Sequence, residues 1–489
     1  MADIFRRLTP WQSTLLLVVV VSLVRIIASA NMGLGTDEAH YALYGLHLDS
    51  SYYDHPPMIG WLQAIILQFS DSDIALRIMP TLLFAATALV LHRVTVTLFP
   101  LETPWLGFIS VVLLQSGLIF QLIGMSMLPD GPLLLFGLLA LLALHGVATS
   151  NSLRYWLLLG LWLGFAGLSK YTAITLAITA ILALLPGRFF RALSTPGPWL
   201  AILLALLLIS PVLYWNYSHD WISFVYQLNH GTGNPDWKAK NFVLAQLAQM
   251  LAYGPGIYLF GIVAILSNLR DWRDQSVMLC LALALPVLLM FGWGSGYQMT
   301  LPHWVSLGWA ALLPLIARWL YQQWQQRLVR AVAVGSAVYA LLLILIVFSE
   351  FFMPWMPFPD NRNPLRDLYG WQQAAQHAAE LQDEMASTPG GKPLLFADRW
   401  VYASRLAWYA RPAAVQVLDT RYDQFDIWFG SPQDGSRGIL VTWPEQKAPP
   451  ETGGPEQFSE CILRDTLPII QRGHLLSTFF FYECHDFRK

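Results

Sequence analysis

The chain has 489 residues, 55% of them hydrophobic and only 12% charged, with a formal net charge of −2. Soluble proteins carry about 25% charged residues, so this composition excludes an ordinary soluble globule. The near-zero net charge argues against a nucleic-acid partner.

Mean hydropathy is +0.47, and the 21 Trp and 19 Tyr fit aromatic belts at a membrane surface. Three cysteines are too few for a disulfide-rich scaffold. Cys280 lies in an apolar run, whereas Cys461 and Cys484 both lie in the polar tail. A bridge between those two and a pair of free buried thiols are both open readings.

The N-terminus reads MADIFRRLTPWQS and runs straight into an apolar stretch. It lacks a small-residue cleavage site, so the first apolar run reads as an uncleaved transmembrane helix. A membrane helix needs about 20 apolar residues. Candidate spans lie at 11–30, 74–98, 105–126, 131–149, 155–169, 172–187, 199–216, 243–267, 277–293, 303–320 and 330–351. The pair around 155–187 is interrupted by Gly164, Gly167 and the polar Ser169-Lys170, a pattern that often lines a cavity. The expectation is a polytopic α-helical domain of about eleven spans over 1–352.

The first loop, 31–72, is the most unusual segment. It reads GTDEAHYALYGLHLDSSYYDHPPMIGWLQ over most of its length. Thr36 reads as the N-cap of a helix whose first turn holds Asp37 and Glu38. Service to the helix dipole alone would explain two carboxylates there. The polar aromatic face made by His40, Tyr41 and Tyr44 points instead to chemistry at the boundary of bilayer and water. Pro56-Pro57 fixes an extended turn that holds Asp54 and His55 at a set angle. The run MIGWLQAIILQF is apolar but shorter than a span, so it reads as an interfacial helix.

Orientation follows from Arg and Lys placement. With the N-terminus inside, inner loops collect Arg6, Arg7, Arg93, Arg154, Arg188, Arg191, Arg270, Arg273, Arg318, Arg327 and Arg330. Outer loops keep only Arg77, Lys170, Lys238 and Lys240. The outer side then carries Asp37-Glu38, Pro129-Asp130-Gly131, Ser169-Lys170-Tyr171 and the loop before His303. An odd number of spans puts the tail outside as well.

From Met353 the composition changes. MPWMPFPDNRNP is a Pro-rich linker. WQQAAQHAAELQDEMA has a helical pattern, and Pro389-Gly390-Gly391 ends it. PLLFAD reads as a strand, RWVYASRLAWYA as a helix, and AVQVL, GILVTW and LLSTFFFYEC as further strands. The segment 353–489 is therefore expected to be a small α/β domain. No internal repeat is visible.

The Asp-Glu pair after the first span, followed by YYDHPP, resembles the GT-C glycosyltransferases. The nearest branch is that of the protein O-mannosyltransferases and lipid A aminoarabinose transferases. Leu128-Pro129-Asp130-Gly131-Pro132-Leu133 is similar to that group's acidic second loop, and Gly167 to Tyr171 is similar to its Gly-Leu-(Ser/Thr)-Lys-Tyr motif. RYDQFDIW, with Gln424 and Trp428, resembles bacterial members. The resemblance covers nearly the whole chain. It implies the GT-C fold and sugar transfer from a polyprenyl-phosphate donor to an envelope lipid, glycan or protein at the outer face of a bacterial inner membrane.

On that resemblance Asp37 is the base or acceptor-orienting carboxylate, and Glu38 positions it or lines the same pocket. Lys170 is the candidate for the donor phosphate. Tyr53, Asp54, His55, Arg77, Asp130, Tyr171 and His303 are further candidates for the donor's phosphate or sugar. The aminoarabinose branch has a lysine where this chain has His55, so the resemblance carries the reaction type better than that branch's sugar. Arg399, Tyr402, Arg405 and Arg421 are candidates for an anionic acceptor. Each of these residues also has a plain structural reading: a snorkelling cation, a helix cap, a turn histidine or surface charge. Asp37, Asp54, His55 and Asp130 could hold a divalent ion, but no compact ligand motif supports one. A lipid-linked sugar flippase and a non-catalytic assembly subunit are the readings from other classes. A flippase usually shows internal symmetry with charges near mid-bilayer, and this chain shows neither.

Overall fold

The structure is a computed structural model that describes residues 8–184, 192–232, 236–443 and 458–488. Arg6, Arg7, Arg188 and Arg191, which the orientation reading uses, lie outside the described residues. Two compact units are present. The first comprises Met1–Ile27, Asp49–Ile59 and Arg77–Val347; the second comprises Ala28–Leu48, Gly60–Leu76 and Phe348–Lys489. The composition break near residue 352 marks where the polar tail begins. The second unit also takes in the Asp37-Glu38 helix and much of the first loop.

The first unit is helical and rich in apolar residues. Among the described residues of the whole chain, seven helices are long and apolar enough to cross a membrane: Pro10–Ala28, Asp73–Leu98, Asp130–Ser150, Pro196–Ser218, Gln275–Gly294, Pro302–Gln323 and Arg327–Phe352. An eighth candidate is a bent pair. The shorter helices Trp105–Ser116, Leu153–Ser169 and Tyr171–Leu184 account for the rest of the expected eleven without reaching full span length.

The expected span at 243–267 is broken. Ala239–Tyr253 and the helix beginning at Pro255 meet at a bend of 110°. The cause is local. Gly254 has φ +92°, a conformation that L side chains rarely adopt, and Pro255 has no N–H to continue the helix.

Elsewhere small residues let helices approach closely. Gly160, Gly164 and Gly167 face Ala201, Leu208 and Ile209, where a β-carbon would collide. This brings Leu153–Ser169 against Pro196–Ser218, as small residues do where helices pack in membranes.

The second unit is built on a five-stranded sheet. Its strands are β1 (Leu394–Ala397), β2 (Val415–Val417), β3 (Gly438–Thr442), β4 (Phe458–Gln471) and β5 (His474–Phe487), in the order β2-β1-β3-β5-β4. β1 runs parallel to β2 and β3, while β5 is antiparallel to both β3 and β4. The helices Trp371–Ala386 and Trp400–Tyr409 form where the tail's helical patterns predict them. β4 was not foreseen. Its face is largely exposed, and Glu460, Arg464, Asp465 and Pro468 hide the alternation. A proline is tolerated there because β4 is the edge of the sheet. Cys461 and Cys484 face each other across β4 and β5 and form a disulfide, which resolves the open pairing.

The Asp37 helix spans Thr36–Leu46. Its cap position is Gly35 rather than the expected Thr36. The Glu38 carboxylate accepts the Gly35 N–H at 3.0 Å, and Gly35 O accepts the Ala39 N–H at 2.9 Å. The helix therefore begins one residue earlier than the threonine signal implies.

Candidate active site

In the first unit three polar side chains, Lys170, His303 and Tyr253, interact with Asp130. Lys170 donates to both Asp130 oxygens at 2.8 Å, and both residues are buried. His303 Nε2 stands 3.9 Å from Asp130 Oδ2. His55 lies within electrostatic reach of His303, and Asp130 within reach of Tyr253.

Local structure explains the placement. Asp130 opens the helix Asp130–Ser150, where the helix dipole favours an anion. Lys170 follows the last residue of Leu153–Ser169, where the dipole favours a cation. Its backbone is extended there, between that helix and the short turn Tyr171–Ala173. Tyr253, at the bend, donates to Pro302 O at 2.8 Å and so holds the turn that carries His303.

The YYDHPP loop is tied to the same unit. Ser223 Oγ donates to Tyr52 O at 2.9 Å, and Gln227 Nε2 donates to Asp54 O at 2.7 Å. Tyr52 N–H donates to His55 O at 3.1 Å, which closes the turn before Pro56-Pro57. The Tyr53 ring meets Tyr226 at 5.0 Å between centroids. Tyr171 Oη lies 3.4 Å from both Ser51 Oγ and Asn216 Nδ2. The Asp54 carboxylate is within electrostatic reach of that phenol. Burial pushes the neighbouring Tyr52 phenol well above its ordinary range.

Asp54, His55, Asp130, Lys170, Tyr171 and His303 are thus brought into one region of the first unit. Arg77 is wholly buried at the head of Ile78–Leu98, where Thr81 Oγ bridges the carbonyls of Arg77 and Gly124.

In the second unit Asp37 is half-buried in the first helical turn, and Glu38 is buried and turned back to Gly35. His40, one turn on, is enclosed by Tyr44, Trp400, Phe425 and Trp428. Ser404 Oγ gives its hydrogen to Trp400 O at 2.7 Å, so it accepts from His40 Nδ1 at 3.1 Å. That places a proton on Nδ1. Asp423 is buried beside them, and burial raises its carboxyl to about 6 against opposing help from the Phe425 N–H and His40. Arg405 is wholly buried against Asp367, with its guanidinium over Trp371, and serves packing in the tail. Tyr402 is also buried, while Arg399 and Arg421 are exposed.

Sequence reasoning missed Ser223, Gln227, Asn216, Tyr253, Ser404 and Tyr409. Each is an ordinary residue made relevant by a partner far along the chain, and no local pattern marks it. Among the described residues no three His, Cys, Asp or Glu side chains gather closely enough to hold a metal ion.

Comparison with known proteins bears on this arrangement. A family model described as dolichyl-phosphate-mannose-protein mannosyltransferase matches residues 54–215. The lipid A galacturonosyltransferase RgtD of Rhizobium johnstonii is 24% identical over 396 residues, 78% of each chain. ArnT from Cupriavidus metallidurans bound to undecaprenyl phosphate shares the fold with a TM-score of 0.63 at 14% identity, over 95% of this chain and 97% of that one. The chain is a glycosyltransferase with the fold of ArnT.

The transferase also matches the apo oligosaccharyltransferase of Archaeoglobus fulgidus, with a TM-score of 0.51 at 12% identity over 88% of this chain and 69% of that one. These likenesses and its long apolar helices make the transferase a multi-pass membrane protein.

Proposed function

We propose that the transferase moves a sugar from a polyprenyl-phosphate donor to lipid A or another envelope lipid or glycan at the periplasmic face of the bacterial inner membrane. The observation that carries this reading is the buried Lys170–Asp130 pair with His303 and His55 close by. Asp130 takes two of the three ammonium hydrogens and holds Lys170 in one orientation. The third, with the imidazole donors, serves the phosphate oxygen on which charge develops as the sugar leaves. Asp37 takes the proton of the acceptor hydroxyl. The acceptor oxygen bonds to the anomeric carbon, the bond from that carbon to the phosphate oxygen breaks, and polyprenyl phosphate departs.

Two further observations support the setting. The relative that matches over 78% of each chain is a lipid A galacturonosyltransferase, which favours a hexuronic acid over aminoarabinose and a lipid A acceptor. The Cys461–Cys484 disulfide fits a tail in an oxidising compartment, as the Arg and Lys bias predicts for the outer side. The match at 54–215 to a protein mannosyltransferase model favours one second reading, transfer to Ser or Thr of a protein.

The test is turnover by purified protein with undecaprenyl-phosphate galacturonic acid. Lipid A is offered in one reaction and a Ser/Thr-rich polypeptide in another, with products identified by mass. Sugar on lipid A and a loss of about 10²–10⁴-fold in Asp37→Asn are expected. Sugar on the polypeptide alone would move the acceptor to protein. Undiminished transfer by Asp37→Asn would remove Asp37 from the reaction.

A further inference from the structure

We propose that Tyr409, through hydrogen bonds to Asp73 and to the backbone of Leu34, is a positioning residue for Asp37. The proposal rests on the reading of Asp37 as the acceptor-side carboxylate.

The strand of chain entering the Asp37 helix has three consecutive N–H groups, each with its own acceptor. Gly33 N–H donates to Leu368 O at 2.8 Å, Leu34 N–H to Tyr409 Oη at 2.7 Å, and Gly35 N–H to Glu38 Oε2 at 3.0 Å. Leu34 is itself buried, so its N–H needs a protein partner. Tyr409 supplies one, and gives its own hydrogen to Asp73 Oδ2 at 2.6 Å. A hydroxyl that donates to a carboxylate becomes a better acceptor, so the two bonds reinforce each other. Trp408 Nε1 contacts the other Asp73 oxygen at 3.4 Å.

The fit leaves no room for another side chain. A β-carbon on Gly33 would stand 2.9 Å from Leu368 O and 3.0 Å from Tyr409 Oη. The helix Trp400–Tyr409 then grips the Asp37 helix a second time, through Ser404 and His40. Asp37 lies between these two attachments. A carboxylate displaced by about 1 Å from its reacting partner costs on the order of 10²-fold in rate. Both attachments come from the tail, which makes the tail part of the transfer machinery rather than an appendage.

The test uses the full-length enzyme with undecaprenyl-phosphate galacturonic acid and lipid A. Tyr409→Phe removes both hydrogen bonds and keeps the ring. It is expected to lower kcat about 10–100-fold while KM for the donor stays within about twofold. Asp73→Asn keeps an acceptor for the phenol and is expected to retain most of kcat. Asp73→Ala is expected to fall with Tyr409→Phe, and combining those two changes should cost no more than either alone.

Amide hydrogen exchange of the segment 28–48 is an independent measure that needs no donor. It should quicken in Tyr409→Phe and stay as in wild type in Asp73→Asn. An unchanged kcat or unchanged exchange in Tyr409→Phe would overturn the proposal, as would equal losses in Asp73→Asn and Asp73→Ala. Asp37→Asn runs beside these variants. If it is active, the reading of Asp37 falls. If it is inactive while Tyr409→Phe is fully active, only the positioning role falls.

Discussion

Lys170 and Asp130, 40 residues apart in sequence, close a buried ion pair in which one ammonium meets both carboxylate oxygens at 2.8 Å. Each charge sits at the helix end whose dipole favours it, Asp130 at a start and Lys170 just past an end. A pair with so little water around it is held by geometry. Its members are hard to remove singly, because the survivor keeps its charge in a medium that cannot solvate it.

Lys170→Met is therefore expected to destabilise the protein by about 3–5 kcal/mol, since it strands the Asp130 carboxylate. Lys170→Met with Asp130→Leu should recover most of that loss, because both charges are gone. Thermal melting in detergent measures the recovery. Transfer should stay abolished in both variants if Lys170 serves the donor phosphate. Transfer restored along with stability would show that the lysine only balances Asp130.

Asp423 predicts an unusual pH response. Its folded carboxyl is raised from 3.8 to about 6, chiefly by burial. The folded chain then binds this proton more tightly than the unfolded chain does. The stability it contributes is full below pH 3.8 and is lost as pH rises through about 6. Asp423→Asn keeps an acceptor for the Phe425 N–H and carries no charge. It should match wild type near pH 4 and exceed it by on the order of 2–3 kcal/mol at pH 7. Melting curves of the two proteins across that range check the sign.

The disulfide gives a third expectation. Cys461 and Cys484 enclose a loop with a sequence separation of 23. Replacing both by Ser should cost about 3 kcal/mol of stability. Alkylation followed by mass spectrometry should label neither cysteine before reduction and both after it. Cys280 is buried and should stay unlabelled until the protein unfolds.

Much of the architecture was legible because its signals are local. Long apolar runs marked the long helices, and short apolar runs rich in β-branched or aromatic residues marked β1, β2, β3 and β5. The edge strand β4 was not legible, because its charged and proline-bearing face meets water and carries no alternation. The break at Gly254-Pro255 was written in the chain, yet the apolar run across it outweighed the two residues that bend it. For the candidate site, motif order pointed to Asp37, Asp130 and Lys170. Nothing in their neighbourhoods told that Asp130 holds Lys170, or that Glu38 serves its own helix.

By itself the sequence determined that this is a membrane-embedded chain with a small α/β tail. It also singled out which polar residues are out of place in such a chain. Hydropathy, helix period and turn residues act over a few positions, so they can be read without a fold. Only the tertiary structure decided the partners: Asp130 with Lys170, His40 with Ser404, and Tyr409 with both Leu34 and Asp73. Those bonds join residues tens to hundreds of positions apart. Short-range pattern carries no information about which distant side chain arrives at 2.7 Å. The Asp37-Glu38 pair shows the division most clearly: the chain marks two adjacent carboxylates, and the fold turns Glu38 back to cap its own helix.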